Sequence, residues 1–342
     1  LAQFLEYLES GERDPGEIAF MEPQAGGACR AGNIYNLLQR VLYRMAEQGQ
    51  TEYAQIPVIS LNLMGEEKHT GFRITPGLLS GGIAAGCYGD LIMCLYQQVK
   101  PYEQNPGETD RIRSQVEKKL CESIRRHRNG RHTREKNYRY ACEVFSKVPV
   151  KPGKKKRVGI TGEIYMKYSK LGNDDIESFL LRQGMEPYSG GFVNYCLYLV
   201  DTERYKVEKY QHNPIMAKAC AFVLHRLCEA QKHLLTVIGE TDRFQTDLPF
   251  PELKEKVQGI LAEGCNTGDG WLIAAEVIQY VEKGCGSVLI LHPFGCLVSH
   301  VCERGILQRL HARFPDVSIQ TIEYDYDQSK TLRESRILLA IS

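Results

Sequence analysis

A strand, a turn, a helix and a second strand follow one another near the end of the chain, and this order constrains the fold more than any other feature. Ser287–Leu291 is a short apolar run typical of a buried strand, Pro293–Cys296 is a turn, and His300–Phe314 has helical spacing. Val317–Ile322 is a second apolar run. The succession predicts half of a doubly wound parallel sheet, in which ligands bind beyond the carboxyl ends of the strands.

The same order of elements occurs near the start of the chain. Ile18–Met21 and Ile56–Leu61 are apolar runs typical of strands, and Asn33–Gln48 between them repeats apolar residues at helical spacing. A strand, a helix and a strand in this order favour a parallel sheet. The sequence therefore predicts an α/β protein.

Helical patterns fill the middle of the chain. The predicted helices are Pro76–Gln98, Asp110–Arg128, Arg134–Phe145 and Pro214–Val237, the last almost core-like in composition. Val148–Gly153 contains two prolines and precedes a basic run, so it is the predicted domain boundary.

The length of the chain indicates the number of domains. Its 342 residues suit two domains of about 150 residues each. We predict two Rossmann-like or flavodoxin-like domains with parallel sheets and a helical connection: residues 1–150 with a helical extension, and residues 151–342. The chain starts at Leu1 inside an amphipathic pattern, so we expect a piece of a longer protein whose first domain is incomplete at its N-terminus.

Composition excludes several classes of protein. The net charge of +1 gives no global attraction to nucleic acid or to an anionic membrane. No apolar run looks long enough to span a bilayer, and no signal segment opens the chain. The 12 cysteines therefore argue for a reduced, cytoplasmic protein rather than a disulfide framework.

Cys29 follows Gly26, Gly27 and Ala28 directly and precedes a predicted helix. Small residues allow the backbone to approach a bulky inorganic group, and N–H groups at a helix start favour a thiolate. A packed turn cysteine is an equally good interpretation from spacing alone.

Cys296 repeats these surroundings after Pro293, Phe294 and Gly295, at a strand end. A nucleophilic cysteine is the rival interpretation, because it needs a histidine base and His292 and His300 are near in sequence. The plainer interpretation of both histidines is a strand end and a helix start.

Cys265 is a third cysteine in a glycine-rich turn, followed by Gly268, Gly270 and the single tryptophan, Trp271. The turn does not match a dinucleotide-binding fingerprint, because Ile273 stands where the third glycine belongs. Trp271 either shields a cofactor or belongs to the core. The chain has no Cys-x-x-Cys run, no P-loop and no His-Glu-x-x-His motif, so spacing alone does not establish a cluster or ATP chemistry.

An ordered set of short motifs resembles the acyl-CoA dehydratase activase-related proteins. The C-terminal regions of these proteins are similar to the cluster-bearing subunits of 2-hydroxyacyl-CoA dehydratases and to double-cubane cluster proteins. The motifs are Gly26–Ala31, Ile56–Asn62, Tyr88–Met93, Lys100–Glu103, Gly159–Tyr165, Gly264–Trp271, Pro293–Cys296 and Tyr324–Asp325.

This resemblance implies an iron–sulfur cluster, of the 4Fe–4S or double-cubane type, held by cysteines from separate domains. By motif, Cys29 and Cys296 match cluster ligands, and Cys265 matches a cysteine before the Gly-Asp-Gly-Trp segment. A further family cysteine lies before the helix that begins at Leu1, so we expect that this fragment can occur without metal. The resemblance also implies electron supply from an ATP-hydrolysing activator of the actin-like superfamily, on a separate subunit or on the same polypeptide.

Three functions remain open from the sequence. The first is an enzyme component that passes single electrons to an acyl-CoA or another small molecule, with Glu163 as a candidate at the substrate or cluster edge. The plainer interpretation of Glu163 is a charge at a helix N-terminus. The second is a non-catalytic electron-transfer or docking module of an activase fusion, and the third is a metal-free relative. A pseudo-dimeric or heterodimeric arrangement would fit the relatives.

Overall fold

The fold is mixed α/β with parallel sheets, as the sequence predicts. It is known from a computed structural model that describes residues 2–23, 33–61, 75–325 and 327–342. The chain forms two compact units, Leu1–Ile74 and Thr75–Ser342.

The first unit contains the predicted strand–helix–strand succession. Its elements are α1 (Ala2–Glu9), β1 (Phe20–Pro23), α2 (Ile34–Glu47) and β2 (Val58–Leu61). The two strands pair in parallel, with Phe20 opposite Val58. Leu38 and Leu42, one turn apart on α2, are buried in the small core of this unit.

The second unit begins with three helices, α3 (Pro76–Val99), α4 (Glu108–Arg125) and α5 (Arg131–Ser146). Thr75 caps α3, because its hydroxyl accepts a hydrogen bond from the N–H of Leu78 at 3.1 Å. The glycines of α3 do not interrupt the helix. Leu91 and Leu95 are fully buried, and burial of such residues outweighs the weak helix propensity of glycine.

A four-stranded parallel sheet follows, in the spatial order β4-β3-β5-β6. The strands are β3 (Arg157–Gly162), β4 (Glu186–Tyr188), β5 (Cys285–Pro293) and β6 (Ser318–Tyr324). The predicted order of strand, helix and strand at residues 287–322 is confirmed. Strands β5 and β6 pair in parallel, with Ser287 opposite Ser318. Side chains of β3 and β5 are buried on both faces of the sheet: Ile160 and Leu289 pack on one face, and Val288 and Ile290 pack on the other.

Helices cover both faces of this sheet. One face carries α6 (Ile164–Tyr168), α7 (Ile176–Arg182) and α13 (Lys330–Ile341), and the other carries α11 (Gly270–Glu282) and α12 (Arg304–Arg313). Helix α11 follows α10 (Phe250–Glu255) and leads into β5, whereas α12 follows the loop after β5. A π-helical turn, Ser299–Glu303, leads directly into α12.

Two further helices, α8 (Phe192–Lys206) and α9 (Pro214–Gly239), pack against each other and against α3. The expectation that α9 is core-like holds only for its second half. Leu234 and Ile238 are buried there, whereas Ile215 and Phe222 in the first half are 81% and 66% exposed.

The expectation that no segment is long and apolar enough to cross a bilayer needs a correction. Among the residues that the structure describes, one segment, Pro76–Tyr102, satisfies both criteria. Its residues Ala84, Leu91, Leu95 and Val99 are fully buried in the core of the second unit. Core helices of water-soluble proteins satisfy the same two criteria, so length and composition alone are weak grounds for a membrane span.

The predicted boundary between residues 150 and 151 stays a prediction. Val150 forms an isolated antiparallel bridge with Glu103, and the Lys151 N–H donates to the Tyr102 carbonyl at 2.7 Å. One hydrophobic cluster contains side chains of α3, α4 and α5 together with side chains of α8, α11 and β5.

Candidate functional site

The strand order reverses between β3 and β5, so the loops that leave their carboxyl ends diverge there. In open parallel sheets, such a reversal leaves a crevice in which ligands bind. Glu163 follows β3 directly, and Phe294, Gly295 and Cys296 follow β5. This edge is therefore the candidate functional site.

Gly162 holds the two strand ends together. Its φ of +127° suits glycine only, and a Cβ atom at this position would overlap the backbone of Leu291 on β5. The next residue donates across the gap, from the Glu163 N–H to the Leu291 carbonyl at 2.8 Å. The absence of a side chain at residue 162 thus places Glu163 next to the end of β5.

Glu163 caps α6, as its plainer interpretation predicts. Its Oε2 accepts a hydrogen bond from the N–H of Met166 at 3.0 Å. Burial raises the pKa of the Glu163 carboxyl, the N–H groups of Met166 and Tyr165 oppose that rise, and the charge of Glu303 adds to it.

Cys296 lies in the turn after β5. Gly295, with a φ of +71°, allows the chain to turn, and the Cys296 N–H donates to the Pro293 carbonyl at 3.2 Å. The side chain is half-buried. Burial raises the pKa of its thiol, hydrogen bonding by Ser299 lowers it, and the charges of Glu303 and Glu163 raise it further.

Cys265 lies in the turn before α11. Its carbonyl accepts a hydrogen bond from the N–H of Trp271 at 2.9 Å, which closes the turn. The turn requires Gly268 and Gly270, because both have positive φ and a Cβ atom on Gly270 would overlap the Cys265 carbonyl. The glycine-rich spacing read from the sequence therefore has a local structural cause.

Sequence reasoning missed a further half-buried cysteine at this edge of the sheet, Cys302. It lies in the π-helical turn before α12, within electrostatic reach of both Cys265 and Cys296. Burial raises the pKa of its thiol to about 11, and the neighbouring Cys265, Glu303 and Cys296 act in the same direction. Three thiols thus share one neighbourhood at the carboxyl edge of the sheet.

Two buried carboxyl groups, Asp269 and Glu303, complete this neighbourhood. Burial raises the pKa of Asp269 well above its usual value, with further contributions from Glu163, Glu303 and Glu276, whereas Lys167 lowers it. Glu303 is fully buried, and its Oε1 atom has no hydrogen-bond partner within the part of the chain that the structure describes. Neither residue was a candidate from the sequence.

A nucleophilic Cys296 would need a histidine nitrogen facing its sulfur, and neither His292 nor His300 provides one. His292 Nδ1 lies 3.1 Å from Glu303 Oε2, and its Nε2 lies 3.4 Å from Glu323 Oε2. His300 Nδ1 lies 2.7 Å from the backbone carbonyl of Cys296, not from its sulfur. The ring nitrogens of both histidines are therefore engaged with oxygen atoms.

Trp271 belongs to the core, which was one of its two interpretations. It is 1% exposed, and its ring packs edge-on against Tyr198 with the centroids 5.1 Å apart.

The described residues include the type of ligand that an iron–sulfur cluster needs, but too few of them lie together. Thiols in glycine-rich turns are the donors that iron–sulfur clusters use. Within residues 2–23, 33–61, 75–325 and 327–342, however, no group of three or more His, Cys, Asp or Glu side chains is arranged to hold a metal ion. Cys29, the third predicted ligand, lies outside the described residues. A cluster would thus need Cys29 or another ligand in addition to Cys265 and Cys296.

A cavity of about 220 Å³ lies elsewhere in the second unit, between α3, α4 and the segment around α6. Lys167, Tyr168 and Gln97 line it, and none of the three site thiols does.

Comparison with known proteins gave no match: no family model, no curated protein and no solved structure is similar to the chain at a significant level.

Proposed function

We propose that this chain is the iron–sulfur-cluster-binding component of a reductase or dehydratase similar to the 2-hydroxyacyl-CoA dehydratases. In this proposal the protein is cytoplasmic and belongs with the acyl-CoA dehydratase activase-related proteins. The order β4-β3-β5-β6 is compatible with a flavodoxin-like arrangement of the domain at residues 151–342. We propose that residues 1–150 form another domain of the same type.

One observation supports the proposal most strongly. Two cysteines that the motifs select independently, Cys265 and Cys296, lie in glycine-rich turns around a third thiol, Cys302, within its electrostatic reach. The turns lie where a parallel sheet of this order places its ligands. This grouping supports an inorganic centre that would need a further ligand, such as Cys29, because no three such side chains among the described residues are arranged to hold a metal ion.

Cys29, Cys265 and Cys296 would hold the cluster, of the 4Fe–4S or double-cubane type. When bound, such a group supplies low-potential, one-electron chemistry. An ATP-hydrolysing activator domain or subunit of the actin-like superfamily would provide the electrons, and an acyl-CoA or another small molecule would receive them. A dimer is compatible with this arrangement.

The alternative is a non-catalytic electron-transfer or docking module, or a metal-free relative. The 220 Å³ cavity beside Lys167 is compatible with it, because a docking or electron-transfer module needs no substrate pocket beside the thiols.

Anaerobic reconstitution of the full-length protein with ferrous iron and sulfide tests the proposal. We expect bound iron and acid-labile sulfide in the wild type, and loss of at least half of both in Cys296→Ser and in Cys265→Ser. Cys121→Ser is the matched control, because Cys121 is exposed on α4, and it should retain the wild-type content. Iron and sulfide contents equal in the wild type and in a Cys29→Ser/Cys265→Ser/Cys296→Ser variant would exclude the proposed function.

A further inference from the structure

His292 links two carboxylates across the end of the sheet. The residue is fully buried at the carboxyl end of β5. Its Nδ1 lies 3.1 Å from Glu303 Oε2 and its Nε2 lies 3.4 Å from Glu323 Oε2. A neutral imidazole donates from one nitrogen and accepts at the other, whereas an ionised carboxylate only accepts. For both contacts to be hydrogen bonds, one additional proton must lie on the ring or on one of the two carboxyl groups. The three side chains therefore share at least one exchangeable proton.

Glu303 is the inner end of this chain of groups. Its side chain is 0% exposed, and Oε1, the oxygen that does not face His292, has no partner among the described residues. A buried carboxyl oxygen without a hydrogen bond is costly, and such atoms in native proteins call for an explanation. Glu163, Asp269 and Cys296 are within electrostatic reach of Glu303, so it belongs to the candidate site.

Glu323 is the outer end. It lies on β6 directly opposite His292, and the parallel register fixes this pairing. Its side chain is 17% exposed, and Oε2 also lies 3.3 Å from the exposed guanidinium of Arg304 and 3.4 Å from His300 Nε2. Solvent can therefore exchange protons with Glu323 but not directly with His292 or Glu303.

We propose that Glu303 is the proton-exchanging group of the candidate site, and that His292 and Glu323 connect it to solvent. The ligand of such a site is a molecule with an oxygen that takes up a proton, such as a hydroxyl leaving group or a carbonyl. This assignment to a ligand rests on the proposed function, whereas the proton connection itself does not.

The transfer moves protons only. The bond between Oε1 of Glu303 and its proton breaks as the acceptor oxygen binds that proton. The proton on Nδ1 of His292 passes to Oε2 of the same carboxyl group, and Nε2 takes up a replacement from Glu323. Glu323 is reprotonated from water, so no electron donor or acceptor is required.

The charged and titratable groups around this path come from every neighbouring element. Glu163 follows β3, Asp269 precedes α11, Cys296 and Cys302 follow β5, and Arg304 begins α12. His300 packs against His292 with the ring centroids 5.6 Å apart. Among the described residues, Glu303 is hydrogen-bonded through His292 alone, so its connection to solvent runs through His292 and Glu323.

The first test uses the protein without metal. Nitrogen-15 labelling of the nine histidines allows the exchange of the His292 ring proton with water to be measured by NMR, with His292→Gln identifying the resonance. The path predicts rapid exchange despite full burial, and exchange at least tenfold slower in Glu323→Gln. Glu282→Gln, on a surface ion pair of α11, is the control and should leave the rate unchanged. Unchanged or faster exchange in Glu323→Gln would overturn the proposal, since a merely loosened structure exchanges faster.

The second test uses the reconstituted full-length protein. Reduction of the cluster adds one negative charge, and we expect Glu303 to take up one proton for each electron. The midpoint potential of the wild-type cluster should then fall by about 59 mV for each pH unit, which is a tenfold change in proton activity. Glu303→Gln should abolish this slope, and Glu282→Gln should keep it. A slope that persists in Glu303→Gln would refute the role of this residue. If the protein binds no iron, the proposed function fails, and the exchange measurement alone decides the proton path.

Discussion

The ammonium group of Lys167 lies 2.7 Å and 2.9 Å from the two carboxylate oxygens of Glu276, and both side chains are almost completely buried. The hydroxyl of Thr161 donates to the same carboxylate at 2.5 Å. This ion pair joins α6, which begins at the candidate site, to α11 on the other face of the sheet. Its charges also reach Asp269, whose pKa Lys167 lowers. The pair therefore couples the stability of the fold to the electrostatics of the site.

Replacing Lys167 by methionine should destabilise the protein by roughly 3–5 kcal/mol, because it leaves a buried carboxylate without its counter-charge. The double variant Lys167→Met/Glu276→Leu should recover most of that loss. Urea unfolding measures both. Lys147→Met, which breaks an exposed ion pair with Glu143, should change the free energy of unfolding by less than about 1 kcal/mol. Equal losses in the single and double variants would contradict the interpretation of Lys167 and Glu276 as a mutually compensating pair.

Gly162 should tolerate no side chain. Gly162→Ala would overlap the backbone of Leu291 and should destabilise the protein by more than about 3 kcal/mol or prevent folding. Gly184 also has a positive φ, +75°, but has open space around it. Gly184→Ala should therefore cost only about 1–2 kcal/mol, as measured by urea unfolding. Similar losses in the two variants would show that steric overlap with β5 does not matter.

Asp90 should make stability depend on pH. Burial raises its pKa from 3.8 to about 7, against the opposing N–H groups of Val193 and Phe192 at the start of α8. A carboxyl group whose pKa is higher in the folded state binds protons preferentially in that state. Its contribution to stability is therefore largest below about pH 4 and decreases as the pH rises towards about 7, by at most about 1.4 kcal/mol per pH unit.

The Asp90→Asn variant isolates this effect. The free energy of unfolding of the variant, relative to the wild type, should increase as the pH rises from 4 to 7 and then stay constant. Asp316→Asn, at an exposed position, is the control and should show a constant difference. A constant difference for Asp90→Asn as well would mean that this carboxyl group titrates alike in the folded and unfolded states.

Much of the fold was predictable, because local periodicity determines the long elements. The predicted helix Asn33–Gln48 is α2, Pro76–Gln98 is α3, and the strands Ile56–Leu61 and Val317–Ile322 are β2 and β6 within two residues. Strand β4 was missed, because three residues give no periodicity. Its position depends on distant contacts, such as the ion pair between Glu186 and Arg157 at 2.6 Å.

The candidate site was predictable only in part. Cys265 and Cys296 follow from glycine-rich turns next to regular elements, which are local signals. Cys302 and Glu303 do not, because an ordinary helix was predicted from His300 onwards and the structure has a π-helical turn at Ser299–Glu303. The additional residue in a π turn changes the direction of the side chains within it. The pairing of Glu303 with His292 therefore has no signature in local sequence.

Whether Cys29, Cys265 and Cys296 hold one cluster can be measured by alkylating the twelve cysteines before and after cluster reconstitution of the full-length protein and analysing the products by mass spectrometry. The buried Cys87, Cys142 and Cys285 should resist alkylation in both states, and the exposed Cys121 should react in both. We expect Cys29, Cys265 and Cys296 to react in the metal-free protein and to become protected together when iron and sulfide bind. Protection of other cysteines, with Cys265 and Cys296 still reactive, would contradict this expectation.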